Sequence, residues 1–363
     1  MKINSVKLRD FRNYKISQIE FDEELNIIYG KNASGKTNLL EALFYFASLK
    51  SFRGCKEKEM INFDADFSVT ELDFDDRTGN NGMKIILQKN GKKELYCNNL
   101  KITKLAQFLG VFRAVIFTPD HLGLIKGMPE NRRKFIDLAI CQSFPRYVAS
   151  LNEYNKILNQ KNSLLKSDFS ESYKYDLIDI YNEKMAQLGG IITFNRSRYI
   201  NRLREEASKI HFEMGSGEKM EISYISNAGE IPDDPAAEDI SKIYRDILRQ
   251  KKEKEIKSYS VMCGIHRDDF KVSINGKNAK FYASQGQQRT AVISMKLAEG
   301  TLSKNLTGEY PVFLFDDVLS ELDEKRKRNI MDKIREKQVI ITGCDEDLSE
   351  SVSGKKIDIN KIL

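Results

Sequence analysis

The chain has 363 residues, of which 40% are hydrophobic and 31% are charged, and its formal net charge is +6. This composition is typical of a globular protein, and no apolar run approaches the roughly 20 residues needed to span a bilayer, which excludes a membrane-embedded chain. The five cysteines are scattered and contain no Cys-x-x-Cys pair. Neither a zinc site nor a disulfide framework is therefore indicated, and buried thiols in a reducing cytoplasm are favoured. The N-terminus lacks a signal-peptide pattern, so we expect a cytoplasmic protein.

The first 118 residues are predicted to be rich in strands. Short apolar runs separated by turn signals lie at 16–21, 25–29, 67–74, 83–87, 94–96 and 115–117. The runs at 67–74, 83–87 and 94–96 are linked by turn-forming residues and predict a meander.

After Pro129 the sequence pattern changes from strand-like to helical. Helical spacing and alternating charge predict helices at 132–144, 147–165 and 173–207, with an irregularity at Gly189-Gly190. A strand at 220–225 and a charged helix at 240–254 come next. From Met262 onward strands at 270–274, 312–315 and 339–342 alternate with helices from about 285 and after 321, which favours a mostly parallel sheet. The helical middle shows no sustained heptads, which argues against a long coiled-coil arm.

A phosphate-binding loop follows the strand that ends at Tyr29 and precedes an amphipathic helix at 36–47. Its sequence is Gly30-Lys31-Asn32-Ala33-Ser34-Gly35-Lys36-Thr37. The glycines let backbone N–H groups converge on phosphate oxygens at a helix N-terminus, Lys36 reaches the β- and γ-phosphates, and the Thr37 hydroxyl ligates Mg²⁺. A chance glycine-lysine turn is the alternative, and the flanking strand and helix argue against it. The loop predicts ATP binding.

Two acids follow the apolar strand at 312–315. In phosphate-loop enzymes the first such acid holds Mg²⁺, a role that we assign to Asp316. Asp317 lies one residue further on, where a base can orient the attacking water. The alternative is a pair of acids that merely solvate the end of a strand.

A third motif, Ser284-Gln285-Gly286-Gln287-Gln288, begins a helix about 28 residues before that strand. A serine and a glycine at a helix start can present a hydroxyl and free amides to a γ-phosphate. An ordinary N-cap at Ser284 is the alternative.

These three motifs, with Leu319-Ser320-Glu321-Leu322-Asp323 after the acid pair, resemble the ABC-type ATPase heads of the SMC-like DNA-repair group. Within that group the chain is similar to the RecF family of bacterial recombination mediators. The narrower match is spread over nearly the whole chain and rests on segments 10–14, 37–42, 51–53, 118–127, 132–137, 264–269 and 284–290. The implied fold is α/β, an ABC-type P-loop ATPase head with a mixed sheet and flanking helices. Residues 1–128 and 258–363 would form that domain, and 129–257 would form a mostly helical inserted lobe.

The resemblance implies ATP and Mg²⁺ as cofactors and a site completed by a second copy of the chain. In such heads two ATP molecules are buried between two subunits, so Ser284 and Gly286, with Gln285 and Gln287, would act in trans. Asp323 would belong to the loop at the dimer interface. Asn38 and the pair Arg12-Asn13 are assigned to nucleotide binding, whereas Tyr14 either contacts the adenine or closes the N-terminal sheet.

The resemblance also implies a DNA-dependent ATPase of low activity. The dimer would close on double-stranded DNA and on ds/ssDNA junctions, and hydrolysis would release it. With RecO- and RecR-type partners it would help to load a RecA-type recombinase at gapped DNA. No membrane partner is implied.

Four departures from the family pattern stand out. Ala33 occupies a loop position where relatives usually have glycine. Thr342-Gly343 follows the last core strand where ABC transporters often carry a histidine. The usual lid glutamine is missing, and Asp120 or His121 would take its place. The aspartate Asp317, shorter than the usual glutamate, suggests slow hydrolysis as a hypothesis.

Some assignments stay open at this point. His266 either contacts DNA or nucleotide, or belongs to an internal turn stabilised by salt bridges and hydrogen bonds. Candidate DNA contacts are the basic residues Arg53, Lys56, Arg132, Arg133, Arg196, Arg198, Arg202, Arg204 and the stretch 251–254. The rival functions are a small-molecule P-loop kinase and the ATPase motor of another ABC-type assembly.

Overall fold

The computed structural model describes residues 1–215, 217–232, 235–319, 322–343 and 354–362. Its contacts divide the chain into two compact units. The first comprises Met1–Leu122, Glu213–Gly217 and Arg289–Leu363, and the second comprises Gly123–Phe212 and Glu218–Gln288. None of the described helices is both long enough and apolar enough to cross a membrane.

The strands of the described residues are, in chain order, β1 (Lys2–Phe11), β2 (Tyr14–Glu20), β3 (Leu25–Tyr29), β4 (Phe67–Asp76), β5 (Gly79–Gln88), β6 (Lys93–Cys97), β7 (Leu100–Ile102), β8 (Ala114–Phe117), β9 (Met220–Ile225), β10 (Asp269–Ile274), β11 (Lys277–Asn278), β12 (Val312–Asp316), β13 (Val339–Thr342) and β14 (Lys355–Asp358). The helices are α1 (Lys36–Ser48), α2 (Gly123–Lys126), α3 (Pro129–Ser143), α4 (Pro145–Leu165), α5 (Glu171–Met214), α6 (Ala237–Ser258), α7 (Ala279–Tyr282), α8 (Gln285–Thr307) and α9 (Glu324–Ile334).

The first unit contains two sheets. One is antiparallel with the order β2-β1-β4-β5-β6-β7, and its central strands alternate buried and more exposed residues, as expected of a sheet with one face on a core. The other has the order β14-β3-β13-β12-β8, and all its pairs are parallel. Every residue of β12 is buried, as is typical of a strand inside a parallel sheet.

Helix α1 packs against the parallel sheet through an almost entirely apolar set of side chains. Its buried residues run from Leu39 to Ser48, and it contacts β12 and β8. Within the sheet, the rings of Phe117 and Phe315 stack with their centroids 4.1 Å apart. Since parallel strands end at one edge, the residues after β3, β12 and β13 come together there, which positions the site described below.

The second unit is mainly helical and includes α2 to α7, residues 285–288 of α8, and a small sheet with the order β11-β10-β9. Helix α5 has 44 residues and is therefore about 66 Å long. Its Arg196 is 2% exposed and donates to both carboxylate oxygens of Asp137 at 2.8 Å, to the carbonyl of Ile265 at 2.7 Å and to Asp268 at 3.2 Å. Buried charges need partners of this kind, and these bonds join α5, α3 and the segment before β10.

The compact units divide the chain differently from the predicted domains, 1–128 with 258–363 and 129–257. The second unit begins at Gly123 and runs to Gln288. It includes β10 because β10 pairs with β9 over six residues, and because Asp269 accepts two hydrogen bonds from Arg132 of α3. The predicted domain boundaries remain a prediction.

Most predicted elements are confirmed to within seven residues at their ends, including the meander of β4, β5 and β6. The irregularity predicted at Gly189-Gly190 is wrong, because α5 is continuous through both residues. Close packing explains the glycines. A Cβ on Gly190 would lie 2.1 Å from Oγ of Ser241 and 2.5 Å from the carbonyl oxygen of Ala237, both of α6.

We predict that Gly190→Ala destabilises the protein even though alanine is the better helix former. The clash with α6 costs about 1–3 kcal/mol or more, which exceeds the roughly 0.5–1 kcal/mol gained in helix propensity. The measurement is the thermal unfolding midpoint of the full chain.

Gly189→Ala is the matched control for that variant. Its Cβ would stand 3.2 Å from the Tyr244 ring, a tight but adjustable contact, so we expect a change of no more than about 1 kcal/mol. Equal unfolding midpoints for the two variants would contradict the packing argument.

Candidate nucleotide-binding site

The phosphate loop lies between β3 and α1, at the carboxyl edge of the parallel sheet. Gly35 caps α1 with a φ of 91°, and a Cβ there would lie 2.6 Å from Nδ2 of Asn13. Both the left-handed backbone and this close approach require glycine. The first amides of a helix have no intrahelical acceptor, so the loop presents the amino end of α1 to a ligand at this edge.

Ala33 is also left-handed, with a φ of 63°. For a residue with a Cβ this conformation costs about 1–2 kcal/mol, so the loop holds Ala33 in a strained state that a glycine would avoid. Lys31, Asn32 and Ala33 are exposed, which leaves this side of the loop open to solvent.

Two side chains of the loop fit a bound triphosphate. Lys36 Nζ donates to the carbonyl oxygens of Gly30 at 2.6 Å and Lys31 at 2.9 Å, and both acceptors are neutral. Ser34 Oγ is buried and has no hydrogen-bond partner among the described residues. A buried hydroxyl without a partner is costly, and a phosphate oxygen is a suitable acceptor in a loop of this geometry.

Asp316, at the end of β12, is held by two hydroxyls. Thr37 Oγ1 donates to its Oδ1 at 3.0 Å, and Thr342 Oγ1 donates to the same oxygen at 2.9 Å. Burial raises the pKa of Asp316 above its ordinary value, the two hydroxyls oppose that shift, and the charge of Asp317 adds to it.

The Thr37–Asp316 pair fits Mg²⁺. This ion is held in such sites by one or two protein oxygens and completes its shell with water and substrate phosphates. Within the described part of the chain, no group of three or more His, Cys, Asp or Glu side chains could hold a metal by itself. The assignment of Thr37 and Asp316 as metal ligands stays a prediction.

Asp317 differs from its neighbour in environment. Its side chain is exposed whereas Asp316 is 7% exposed, and its φ is 55°. The left-handed residue ends the strand, and its backbone N–H donates to Thr342 Oγ1 at 3.2 Å. An exposed carboxylate beside the metal-binding position can contact a water, so the role of base remains open to Asp317.

Arg12 and Asn13 lie in the turn between β1 and β2. The Arg12 guanidinium donates to both oxygens of Glu41, at 2.8 and 2.9 Å, and Glu41 is completely buried on α1. Asn13 Oδ1 accepts from Asn38 Nδ2 at 2.8 Å. These bonds fix the turn against α1, and the predicted nucleotide contacts of Arg12, Asn13 and Asn38 stay predictions.

Tyr14 begins β2 directly after this turn and is buried, and its hydroxyl donates to the carbonyl oxygen of Gly35 at 3.0 Å. Burial raises its pKa well above the ordinary value. Tyr14 therefore supports the phosphate loop from the side of the antiparallel sheet.

Sequence reasoning missed two residues that position the site. Glu41 lies one helical turn after Thr37, among the buried residues Leu39 to Ser48, and a carboxylate in such a mainly apolar run indicates a buried partner. Thr342 was noted only for not being a histidine. Its hydroxyl contacts Asp316 because β12 and β13 pair Asp316 with Thr342.

The signature Ser284–Gln288 begins α8. Ser284 Oγ accepts from the Gln287 N–H at 3.2 Å, and Gln287 Oε1 accepts from the Ser284 N–H at 2.7 Å, which is a capping box. The N-cap interpretation of Ser284 is thus confirmed. The N-cap role does not exclude a contact with a γ-phosphate, because Ser284 and Gln285 are exposed and Gly286 is partly exposed. Their action on a γ-phosphate stays a prediction.

His266 belongs to an internal turn. Its ring Nδ1 lies 3.3 Å from the Tyr154 hydroxyl, and burial, helped by the charge of Arg267, lowers its pKa to about 4. The ring is therefore neutral at physiological pH and offers no charge to a phosphate.

At the lid position, burial and the charge of Lys296 lower the pKa of His121 well below the ordinary value, while Asp120 is exposed. The lid residue remains open between the two.

Two of the candidate DNA contacts are wrong. Arg132 is buried and forms an ion pair with Asp269. Arg196 is also buried and forms ion pairs with Asp137 and Asp268. By contrast Arg198, Arg202 and Arg204 are exposed on α5.

Asp323, predicted to lie in the loop at the dimer interface, caps α9 by accepting from the Arg326 N–H at 2.9 Å. Ser320, Glu321 and Cys344 lie outside the described residues.

We predict that Thr342→Val shifts the pH dependence of metal-assisted nucleotide binding. Asp316 must be ionised to hold Mg²⁺, and its raised pKa means that protonation begins at a higher pH than for an ordinary carboxyl. Removing the Thr342 hydroxyl raises this pKa further. The Mg²⁺-dependent part of the affinity for a fluorescent ATP analogue should therefore be lost at a higher pH than in the wild type.

Thr342→Ser keeps the hydroxyl and is the control, with a profile expected to match the wild type. Titrations without Mg²⁺ report any change unrelated to the metal. Superimposable profiles for Thr342→Val and the wild type would contradict the assignment of Asp316.

Comparison with known proteins shows which family the chain belongs to. The family model described as the RecF/RecN/SMC N terminal domain matches residues 2–360. The DNA replication and repair protein RecF of Acetivibrio thermocellus is 40% identical over 352 residues, covering 97% of this chain and 95% of the relative. RecF of Clostridium kluyveri is 39% identical over 358 residues, with coverages of 97% and 95%.

Solved structures agree with this result. The recombination mediator protein RecF-ATPrS in the RecFOR pathway has a TM-score of 0.90 at 35% identity, covering 98% of this chain and 96% of the other. RecF-ATP has a TM-score of 0.88 at 36% identity, with coverages of 98% and 97%. An SMC head bound to the C-winged helix domain of ScpA has a TM-score of 0.54 at 15% identity, with coverages of 97% and 92%, and shares the fold alone. The predicted ABC-type ATPase fold is thereby confirmed, and the chain belongs to the RecF family of the RecF/RecN/SMC group.

Proposed function

We propose that this protein is an ATP-dependent recombination mediator that acts on DNA in the cytoplasm. Two copies close on double-stranded DNA and on ds/ssDNA junctions when ATP is bound, and hydrolysis releases them. The Thr37–Asp316 hydrogen bond carries the nucleotide part of this proposal, because it assembles a metal-binding pair beside the phosphate loop. Membership of the RecF family carries the recombination part.

The residues of one copy bind the triphosphate. The amino end of α1 and Lys36 attract its negative charge, and Ser34 offers a hydroxyl that otherwise has no partner among the described residues. Mg²⁺ bound at Thr37 and Asp316 would neutralise charge on the phosphates. Asp317 would orient the attacking water and accept its proton. Since an aspartate is shorter than a glutamate, we expect slow turnover.

The other half of the site belongs to a second copy. Ser284 and Gln285 are exposed at the start of α8, so they can approach a ligand that their own chain does not cover. The γ-phosphate would then be held by Ser284 and by the first amides of α8. A composite site links ATP binding to association, and hydrolysis removes the shared contact.

Relatives carry the name DNA replication and repair protein RecF, and a solved relative is described as part of the RecFOR pathway. We therefore propose RecO- and RecR-type partners and assistance to a RecA-type recombinase at gapped DNA. Exposed basic residues on α5 supply a phosphate-binding face, with Arg198 and Arg202 one turn apart. A small-molecule kinase would need no such face and no second copy.

A mixing experiment tests the composite site. Lys36→Ala removes the phosphate-binding ammonium, and Ser284→Arg blocks the signature, so each variant alone should lose nearly all ATP hydrolysis. Mixed together they form heterodimers in which Lys36 of one copy meets Ser284 of the other. We predict turnover in the mixture well above that of either variant alone, measured as phosphate release.

The control is a mixture of Lys36→Ala with Asp316→Ala, whose defects lie on the same half of the site and cannot complement. If the first mixture is as inactive as this control, the site is not shared between copies. A kinase-like site within one chain would give that result.

A second test concerns DNA. We predict that affinity for duplex DNA in the presence of ATP falls steeply with salt, because phosphate contacts release counterions. Replacing Arg198 and Arg202 by alanine should flatten the slope of log affinity against log salt by about one to two units. The assay is fluorescence anisotropy over a salt series.

Alanine at Lys89 and Lys92, two exposed lysines of the turn between β5 and β6, gives the same change in net charge and is the control. An equal effect of both double variants would show a general charge effect rather than a DNA face on α5. Binding insensitive to salt would count against the proposal as a whole.

A further inference from the structure

Two large aromatic side chains stand exposed immediately before the signature. Phe281 is 70% exposed and Tyr282 is 73% exposed. Their ring centroids lie 6.5 Å apart in an edge-to-face arrangement, and Lys280 Nζ lies 5.7 Å from the Phe281 centroid. We call Phe281 and Tyr282 the aromatic pair. Single exposed apolar residues are ordinary, but two adjacent aromatic rings that expose most of their surface indicate an interaction site.

The backbone of the aromatic pair is held rigidly. Asn278 caps α7, with its side chain accepting from the Lys280 N–H at 3.0 Å, and Ala279 is completely buried. The buried Gln288 of α8 donates from Nε2 to the carbonyl oxygens of Ala279 at 3.0 Å and Ala283 at 3.1 Å. These two bonds bracket the aromatic pair and tie it to the start of α8. Rigid exposed rings lose little entropy on binding, as is typical of interface anchors.

The short stretch of chain between the aromatic pair and Ser284 limits the distance between them. Phe281 and Tyr282 precede Ser284 by three and two residues, so their Cα atoms lie within about 11 Å of it. A surface that covers Ser284 must therefore also reach the aromatic pair. This inference rests on the proposed function, in which a second copy of the chain covers Ser284.

We propose that the aromatic pair is an apolar anchor that packs on a second copy of this chain, beside the rim of its phosphate loop. Charge favours this occupant. Lys277 and Lys280 are exposed next to the pair, whereas Asp317 is exposed after β12. A two-fold interface uses each surface twice, so each dimer contains two anchors, one beside each ATP site. Buried aromatic residues of this kind dominate the affinity of many interfaces.

The test compares two double variants in an Asp317→Asn background, which retains ATP. Phe281→Ser with Tyr282→Ser removes the anchor. Phe169→Ser with Tyr173→Ser is the matched control, because these rings also form an edge-to-face pair and are 57% and 49% exposed. Sedimentation equilibrium with ATP and Mg²⁺ gives the dimer dissociation constant, and a fluorescent ATP analogue at low protein concentration gives the affinity of the monomer.

We expect the anchor variant to raise the dimer dissociation constant by about a hundredfold or more. Each copy loses two aromatic side chains from the interface, and the two-fold dimer contains both copies, so the loss of affinity occurs twice. Its affinity for the ATP analogue and its unfolding midpoint should stay as in the Asp317→Asn parent, and the control variant should dimerise as that parent does. Unchanged dimerisation of the anchor variant, with Ser284→Arg monomeric, would overturn the inference and leave the proposed function standing.

Two other outcomes would also overturn it. If the anchor variant dimerises normally but its monomer binds duplex DNA more weakly without ATP, the aromatic pair is a DNA contact. If the Asp317→Asn parent itself stays monomeric at saturating ATP, the composite site fails and the anchor fails with it.

Discussion

Asp316 is a buried carboxylate at the point where three distant stretches of the chain meet. A buried charge is costly unless hydrogen bonds compensate for the lost water, and here Thr37 of α1 and Thr342 of β13 provide them. Both donors depend on strand register. Asp316 pairs with Thr342, and Thr342 pairs with Ile28, two residues before the phosphate loop. A slip of one residue between these strands would separate the acid from both hydroxyls.

The antiparallel sheet supports the same site from outside the parallel sheet. Its first turn carries Arg12, whose ion pair with Glu41 joins that turn to α1. Tyr14 reaches the carbonyl oxygen of Gly35 from the next strand. Asn13 occupies the space that a side chain at Gly35 would fill. The loop is therefore held by packing and hydrogen bonds from the side of the antiparallel sheet, while its residues 31–33 are exposed.

In the second unit, buried ion pairs organise the polypeptide rather than contact a ligand. Arg196 binds Asp137 and Asp268, and Lys161 binds Glu255 at 2.6 Å with both side chains completely buried. Removing one partner of such a pair is strongly destabilising, whereas its net contribution to stability is small. The segment 264–269, which resembles a family motif, is part of this network. Its Asp268 and Asp269 are thus explained by the ion pairs that they form within the fold.

Local sequence was sufficient for the features that depend on neighbouring residues. The glycines of the phosphate loop, the strand before it and the helix after it predicted the loop geometry, because backbone conformation and helix amphipathicity are local properties. The acids after β12 were predicted for the same reason. Gly189-Gly190 was misjudged because glycine signals either a break or a close contact, and only the position of α6 distinguishes them.

The sequence by itself predicted a phosphate loop suited to a nucleotide, and it determined which family the chain belongs to. Tertiary structure alone decided which charged residues face solvent, where a ligand can reach them, and which are paired inside the protein. Arg196 and Arg198 are two residues apart on one helix, yet the first is buried with Asp268, 72 residues away, and the second is exposed. Whether an arginine pairs inside the protein or faces solvent depends on partners that folding brings from far along the chain. No local pattern contains that information.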